Sequence, residues 1–223
     1  MSQQTRSQWD LGRFWQTLTY FETVPVLSGL QKMFFGSTPP PPPQPQAGLL
    51  FDFRQPSLDW QQTWGALDDV VMGGVSASSF QLQQGAALFT GNVSIANSGG
   101  FASVRTRNFE PPLNLSGSTG LELRVQGDGQ RYKFLIRDEE TWDSVAYARS
   151  FDTVANQWMT VRLPFAEMVP VFRAKTLKDG RTLNPASIRS LQWMLSKFEY
   201  DGALNPHFAP GTFRLQVETI GVY

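Results

Sequence analysis

From Leu49 onward, apolar and polar residues alternate in short runs cut by turn residues, which is the period of strands with one buried face. The pattern predicts strands at Leu49–Phe53, Val75–Leu82, Ala86–Ile95, Gly100–Thr106, Gly120–Val125, Tyr132–Arg137, Ser144–Phe151, Trp158–Leu163, Ile188–Leu195 and Phe213–Tyr223. Spacing this regular points to an all-β antiparallel sandwich or jelly roll. Turn sequences such as Gln126-Gly127-Asp128-Gly129 are expected to join neighbouring strands as hairpins. One long connection, Pro164 to Pro185, lacks a strand pattern and carries Arg173, Lys175, Lys178 and Arg181. A cationic loop of that length is expected to contact a partner.

Before Leu49 the period changes. Ser7 and Asp10 fit a capping pattern, and Leu11, Phe14, Trp15, Leu18 and Phe21 recur at helical spacing. Pro25 breaks that helix; Val26, Leu27, Leu30, Met33 and Phe34 continue a second apolar stripe up to Gly36. The stripe is too interrupted for a membrane span. It suits a helix lying in a membrane interface, with Trp9, Trp15 and Tyr20 as anchors, or one packed on the protein body or a client. Pro39 to Pro43 then form an extended spacer. The chain is thus divided into a short apolar helical anchor segment (1–36), a proline-rich linker (37–48) and a β-sandwich domain (49–223).

Composition narrows the chemistry. Of 223 residues, 41% are hydrophobic, enough for a sizeable core. Lys+Arg 19 balance Asp+Glu 19, so no global field attracts nucleic acid. Arg105, Arg107, Arg124, Arg131, Arg137 and Arg149 would have to gather on one face to bind RNA. With Cys 0 there is no disulfide, thiol nucleophile or thiolate zinc site. The start lacks the compact apolar core and cleavage site of a secretory signal, so the chain is read as unprocessed. The one histidine, His207, lies in a turn-rich connection, and no serine has a nucleophile-elbow context. The isolated glycine pairs are not followed by helices that would cradle phosphate. Trp60, Trp64 and Trp142 flank polar or turn-rich sequence and are the candidates for glycan stacking.

The densest motif is Leu67-Asp68-Asp69-Val70-Val71-Met72-Gly73-Gly74-Val75-Ser76. Its glycines suit a tight bend, while Asp68 and Asp69 can cap amides, grip a polar ligand or hold a structural calcium ion. No other cofactor or metal is expected. Together with Gly99-Gly100-Phe101-Ala102-Ser103-Val104-Arg105, Gly127-Asp128-Gly129-Gln130-Arg131-Tyr132, Trp158, Val161-Arg162-Leu163-Pro164-Phe165 and Gly211-Thr212-Phe213-Arg214-Leu215, this motif resembles the complex I intermediate-associated protein family.

The resemblance runs from about Leu49 to Tyr223 and implies a galactose-binding-like sandwich that acts as an assembly factor rather than an enzyme. It implies partners among the subunits or assembly intermediates of a membrane-bound electron-transfer complex, either the respiratory NADH dehydrogenase or a photosystem. It also implies a cytoplasmic or stromal-side location at a membrane such as the thylakoid. Some relatives carry a short-chain-dehydrogenase-like domain, and no such dinucleotide-binding part stands in this chain. Asp68, Asp69, Met72, Gly73, Gly74, Gly100, Phe101 and Arg105 are expected to shape a binding loop surface. A carbohydrate-binding module and an RNA-binding biogenesis factor are the alternatives.

Overall fold

A computed structural model of the protein describes residues 42–223 apart from positions 56 and 84, together with residue 12. The anchor segment therefore lies outside the described residues, and with it Trp9, Leu11, Phe14, Trp15, Leu18, Phe21, Leu27, Leu30 and Phe34.

The body is built of strands β1 Leu49–Asp52, β2 Trp64–Ala66, β3 Ala77–Gln83, β4 Ala86–Val93, β5 Phe101–Thr106, β6 Gly120–Gln126, β7 Arg131–Arg137, β8 Ala146–Asp152, β9 Trp158–Pro164, β10 Val169–Phe172, β11 Lys175–Thr176, β12 Ser190–Ser196 and β13 Gly211–Val222. A short helix α1, Leu58–Thr63, precedes β2. The strands form a 6-stranded sheet, β3-β4-β13-β6-β9 with β1 beside β13, and a 7-stranded sheet, β11-β10-β8-β7-β12-β5-β2. All the pairings between these strands are antiparallel, and the expected jelly-roll sandwich is the fold.

Alternation places one set of side chains between the sheets. From β7 these are Tyr132, Phe134 and Ile136; from β12, Leu191, Trp193 and Leu195; from β13, Phe213, Leu215 and Val217. Aromatic rings lock the interior edge to face, as Phe134 does on Trp193 with centroids 4.6 Å apart and Phe89 on Phe213 at 4.8 Å. Trp64 stacks on Phe80 at 5.0 Å, so two of the tryptophans offered for glycan stacking are otherwise engaged: Trp64 is buried and Trp60 packs on Phe53.

Two expectations are corrected. Gln126-Gly127-Asp128-Gly129 is not a hairpin turn, because β6 pairs with β9 and β13 while β7 pairs with β8 and β12, so the segment carries the chain from one sheet to the other. Asp128 fixes that crossing: its carboxylate accepts hydrogen bonds from Tyr132 Oη (3.0 Å) and from the Arg214 amide (2.9 Å) at the start of β13. The stretch from Pro164 to Pro185 is not strandless, since β10 and β11 add to the edge of the larger sheet beside β8. Pro170 hid β10 in the sequence, and a two-residue strand has no period to read.

Candidate functional site

Strand directions bring several loops to one end of the sandwich. β5 starts there opposite the end of β12, as Phe101 faces Ser196; β4 ends there opposite the start of β13; β8 ends there opposite the start of β7. The loops concerned run over 67–76, 94–100, 126–130, 152–157 and 197–210.

The acidic pair ties them together. Asp69 is fully buried; its Oδ1 accepts the Ser76 amide (2.9 Å), and its Oδ2 accepts Ser76 Oγ (2.6 Å) and the Gly100 amide (2.8 Å). Asp68, also buried, accepts the Ser78 amide (2.8 Å) from β3 and the Ser103 amide (2.9 Å) from β5, and so clasps one sheet to the other. A buried carboxylate holding several N–H and O–H donors is strongly stabilised, and deleting it strands those donors. The oxygens left open to calcium by the sequence are thus turned onto protein donors. Among the described residues no group of three His, Cys, Asp or Glu is placed to hold a metal ion.

The glycines follow from this clasp. Gly73 has φ +87° and ends the single turn Asp69–Met72, which a side chain would strain. A Cβ on Gly74 would overlap the Asp69 carboxylate. Gly100 has φ +148° and accepts the Lys197 amide at 2.7 Å, joining the 94–100 and 197–210 loops. Asn205 closes the last of these by donating from Nδ2 to the carbonyls of Arg131 and Ser196, each at 2.9 Å.

On this stitched base stand exposed apolar side chains. Met72 (72% exposed), Leu204 (64%), Val154 (55%), Ile95 (51%) and Phe198 (42%) all belong to this loop end. Among the described residues the remaining large exposed apolar side chains are only Val169 and Tyr223. Of the residues singled out in the sequence, Met72 is on this surface and Phe101 half-buried beside it; Asp68 and Asp69 lie beneath, whereas Arg105 is buried near the far end of β5, donating to Ser190 Oγ and the Trp142 carbonyl. Ile95, Val154, Phe198 and Leu204 were missed. Their signal was an apolar residue inside a polar turn, as in Ser94-Ile95-Ala96-Asn97.

A charged cluster flanks the apolar tips. Arg131 bridges Asp152 (2.8 Å) and Glu199 (3.0 Å), and His207 Nδ1 lies 2.9 Å from Asp152. Burial opposes ionisation of Asp152, but hydrogen bonds from Arg131 and His207 hold its carboxyl below the usual range.

The candidate partner cations do not converge. Arg173 pairs with Asp143 (2.7 Å) and Arg181 with Asp179 (2.7 Å), while Lys175 and Lys178 are exposed near Asp201. The arginines weighed for RNA are also dispersed: Arg105 is buried in β5, Arg124 lies on the other sheet and Arg149 pairs with Glu167. No helix among the described residues is long and apolar enough to cross a membrane.

A two-sheet jelly roll with a stapled loop end is an architecture shared by many binding modules. The sequence model of the Complex I intermediate-associated protein 30 family matches residues 51–217, and the chain belongs to that family. No curated protein matches it. Among solved structures it is similar to a family 11 carbohydrate-binding module from Clostridium thermocellum in complex with a β-1,3-1,4-mixed-linked tetrasaccharide, at 16% identity over 78% of this chain and 94% of that one, with TM-score 0.56. The family 11 module of the cellulosomal cellulase Lic26A-Cel5E of the same organism gives 15% identity, 78% and 92% coverage, and TM-score 0.56. At such identities the likeness is one of fold.

Proposed function

We propose that this protein is a non-catalytic assembly factor that holds subunits or intermediates of a membrane-bound electron-transfer complex, of the NADH dehydrogenase type that its family name carries. The observation that carries this reading is the loop end, where five large apolar side chains stand exposed on loops fixed by buried hydrogen bonds. Exposed apolar groups on a rigid base bury readily against a protein partner at little conformational cost. The family and the fold of its neighbours both favour a binding protein over an enzyme. In this reading the protein works at the membrane surface, with the apolar 1–36 segment as its attachment to lipid or client and the proline run as a spacer.

The test is affinity capture of the full chain from native membranes after crosslinking, with mass spectrometry of what is retained. Complex subunits or assembly intermediates should be enriched, and their identity separates an NADH dehydrogenase client from a photosystem one. The triple variant Met72→Asp, Ile95→Asp, Leu204→Asp should lose that enrichment with its melting temperature unchanged. Equal capture by both proteins would clear the loop end, and turnover in a hydrolase or glycosidase screen would overturn the assembly reading.

A further inference from the structure

The outward face of the larger sheet carries groups that the loop end does not use. Along β7 the outward positions are Lys133, Leu135 and Arg137; β12 presents Gln192 and Met194 beside them, and β5 presents Ser103 and Arg105. Leu135, Ala146, Ala148 and Val171 form a second apolar cluster on this face, with Met194 and Tyr200 packed over it. Lys133 Nζ donates to the carbonyls of Phe198 (2.5 Å) and Glu199 (2.9 Å) and sits 4.2 Å from the Tyr200 ring centroid. Tyr200 therefore lies over Leu135 in the direction of Arg137.

Arg137 is the odd member. Its Nη1 donates to Gln192 Oε1 at 2.7 Å, a neutral acceptor whose own amide group is used on Ser103 Oγ (2.9 Å). Its Nε is buried and has no hydrogen-bond partner among the described residues, and the Tyr200 hydroxyl is buried and without one among them as well. The Asp143 carboxylate lies within electrostatic range, but it is held by Arg173 at 2.7 Å. The residue as a whole is half-buried, so part of it meets solvent although Nε itself does not. A desolvated guanidinium beside an unpaired hydroxyl is costly unless an acceptor, best a negative one, fills the gap.

We propose that Arg137 and Tyr200 form a subsite for a carboxylate group, accepted on Arg137 Nε and the Tyr200 hydroxyl, with Leu135, Ala146 and Met194 taking its apolar attachment. A planar carboxylate matches the guanidinium fork. A dianionic phosphate would need more donors than this apolar surround provides. The two sources of such a group are a small free organic acid and an acidic side chain of a polypeptide; the chemistry at Arg137 is the same for both. This inference does not depend on the assembly reading.

The full chain, labelled for arginine side-chain NMR, is titrated with butyrate, with butyramide and with a short Glu-containing apolar peptide. The Arg137 Nε–H signal should shift saturably with butyrate or the peptide, and not with butyramide. Response to butyrate marks the small-acid source, and response to the peptide alone marks the polypeptide source. Arg137→Gln should weaken binding at least about tenfold, the worth of one charge-assisted hydrogen bond. Tyr200→Phe should weaken it less, and Arg137→Gln should fold at least as stably as wild type, since it removes a poorly compensated charge. No saturable shift with either acid, or an equal response to butyramide, would overturn the subsite. Failed client capture with an intact carboxylate response would sink the assembly reading alone.

Discussion

The outward faces of the two sheets have similar alternation in sequence and opposite environments. On the smaller sheet, Glu122 and Arg124 of β6 and Thr160 and Arg162 of β9 stand in solvent, with Arg162 bridging Glu122 at 2.8 Å and Arg124 loosely near Glu218 at 4.0 Å. Exposed pairs of this kind contribute little. On the larger sheet, Lys133 and Arg105 are buried, and Lys133 is held by two carbonyls and by Glu199. Desolvation favours their neutral forms: burial pushes Lys133 down to about 8 against the pull of Glu199, and Arg137 down to about 10. The same residue types are therefore surface decoration on one face and structural commitments on the other.

The contrast is broken most severely at Lys133. Lys133→Glu places a carboxylate against two carbonyls and Glu199, and should cost roughly 3–5 kcal/mol in urea unfolding. A loss below about 1 kcal/mol would mean that the face is wetter than its burial implies. Next comes the clasp that lets the two sheets differ while staying joined. Asp69→Ala leaves the Ser76 and Gly100 amides unpaired and should cost about 2–3 kcal/mol; Gly74→Ala, which drives a methyl into the same carboxylate, should cost about as much by melting.

A smaller effect is pH-dependent. The folded-state pKa of Lys133 lies near 8, below its ordinary 10.5, so between those values the unfolded chain binds more protons than the folded one. Stability should rise with pH through that window by up to about 1.4 kcal/mol per pH unit from this group. Lys133→Met should lack that slope when unfolding is measured at successive pH values. The smallest change is expected on the solvated face, where Arg124→Gln should alter stability by no more than about 0.5 kcal/mol. A larger loss there would erase the distinction between the faces.

Much of the sandwich was legible. All the strands expected from alternation are present within a few residues, because each one buries a single face and so must alternate. The strands missed were β2, β10 and β11, too short or too interrupted by proline to show a period. The crossing at Gly127 was misread because turn residues report a bend and not the sheet into which it leads.

The candidate site was legible only in outline. The sequence by itself determined a β-sandwich family and the tight bend at Gly73, and left Asp68 and Asp69 open between capping amides, gripping a polar ligand and holding calcium. Only the tertiary structure decided that both acids turn inward to hold amides 31 and 35 residues away, and that Met72, Ile95, Val154, Phe198 and Leu204 share one end. Only packing, too, could show that Arg124 is solvated while Arg137 is left with a buried, unpaired nitrogen. The reason is physical: alternation fixes which side of a strand a residue faces, but its free energy depends on what the rest of the chain lays over that side.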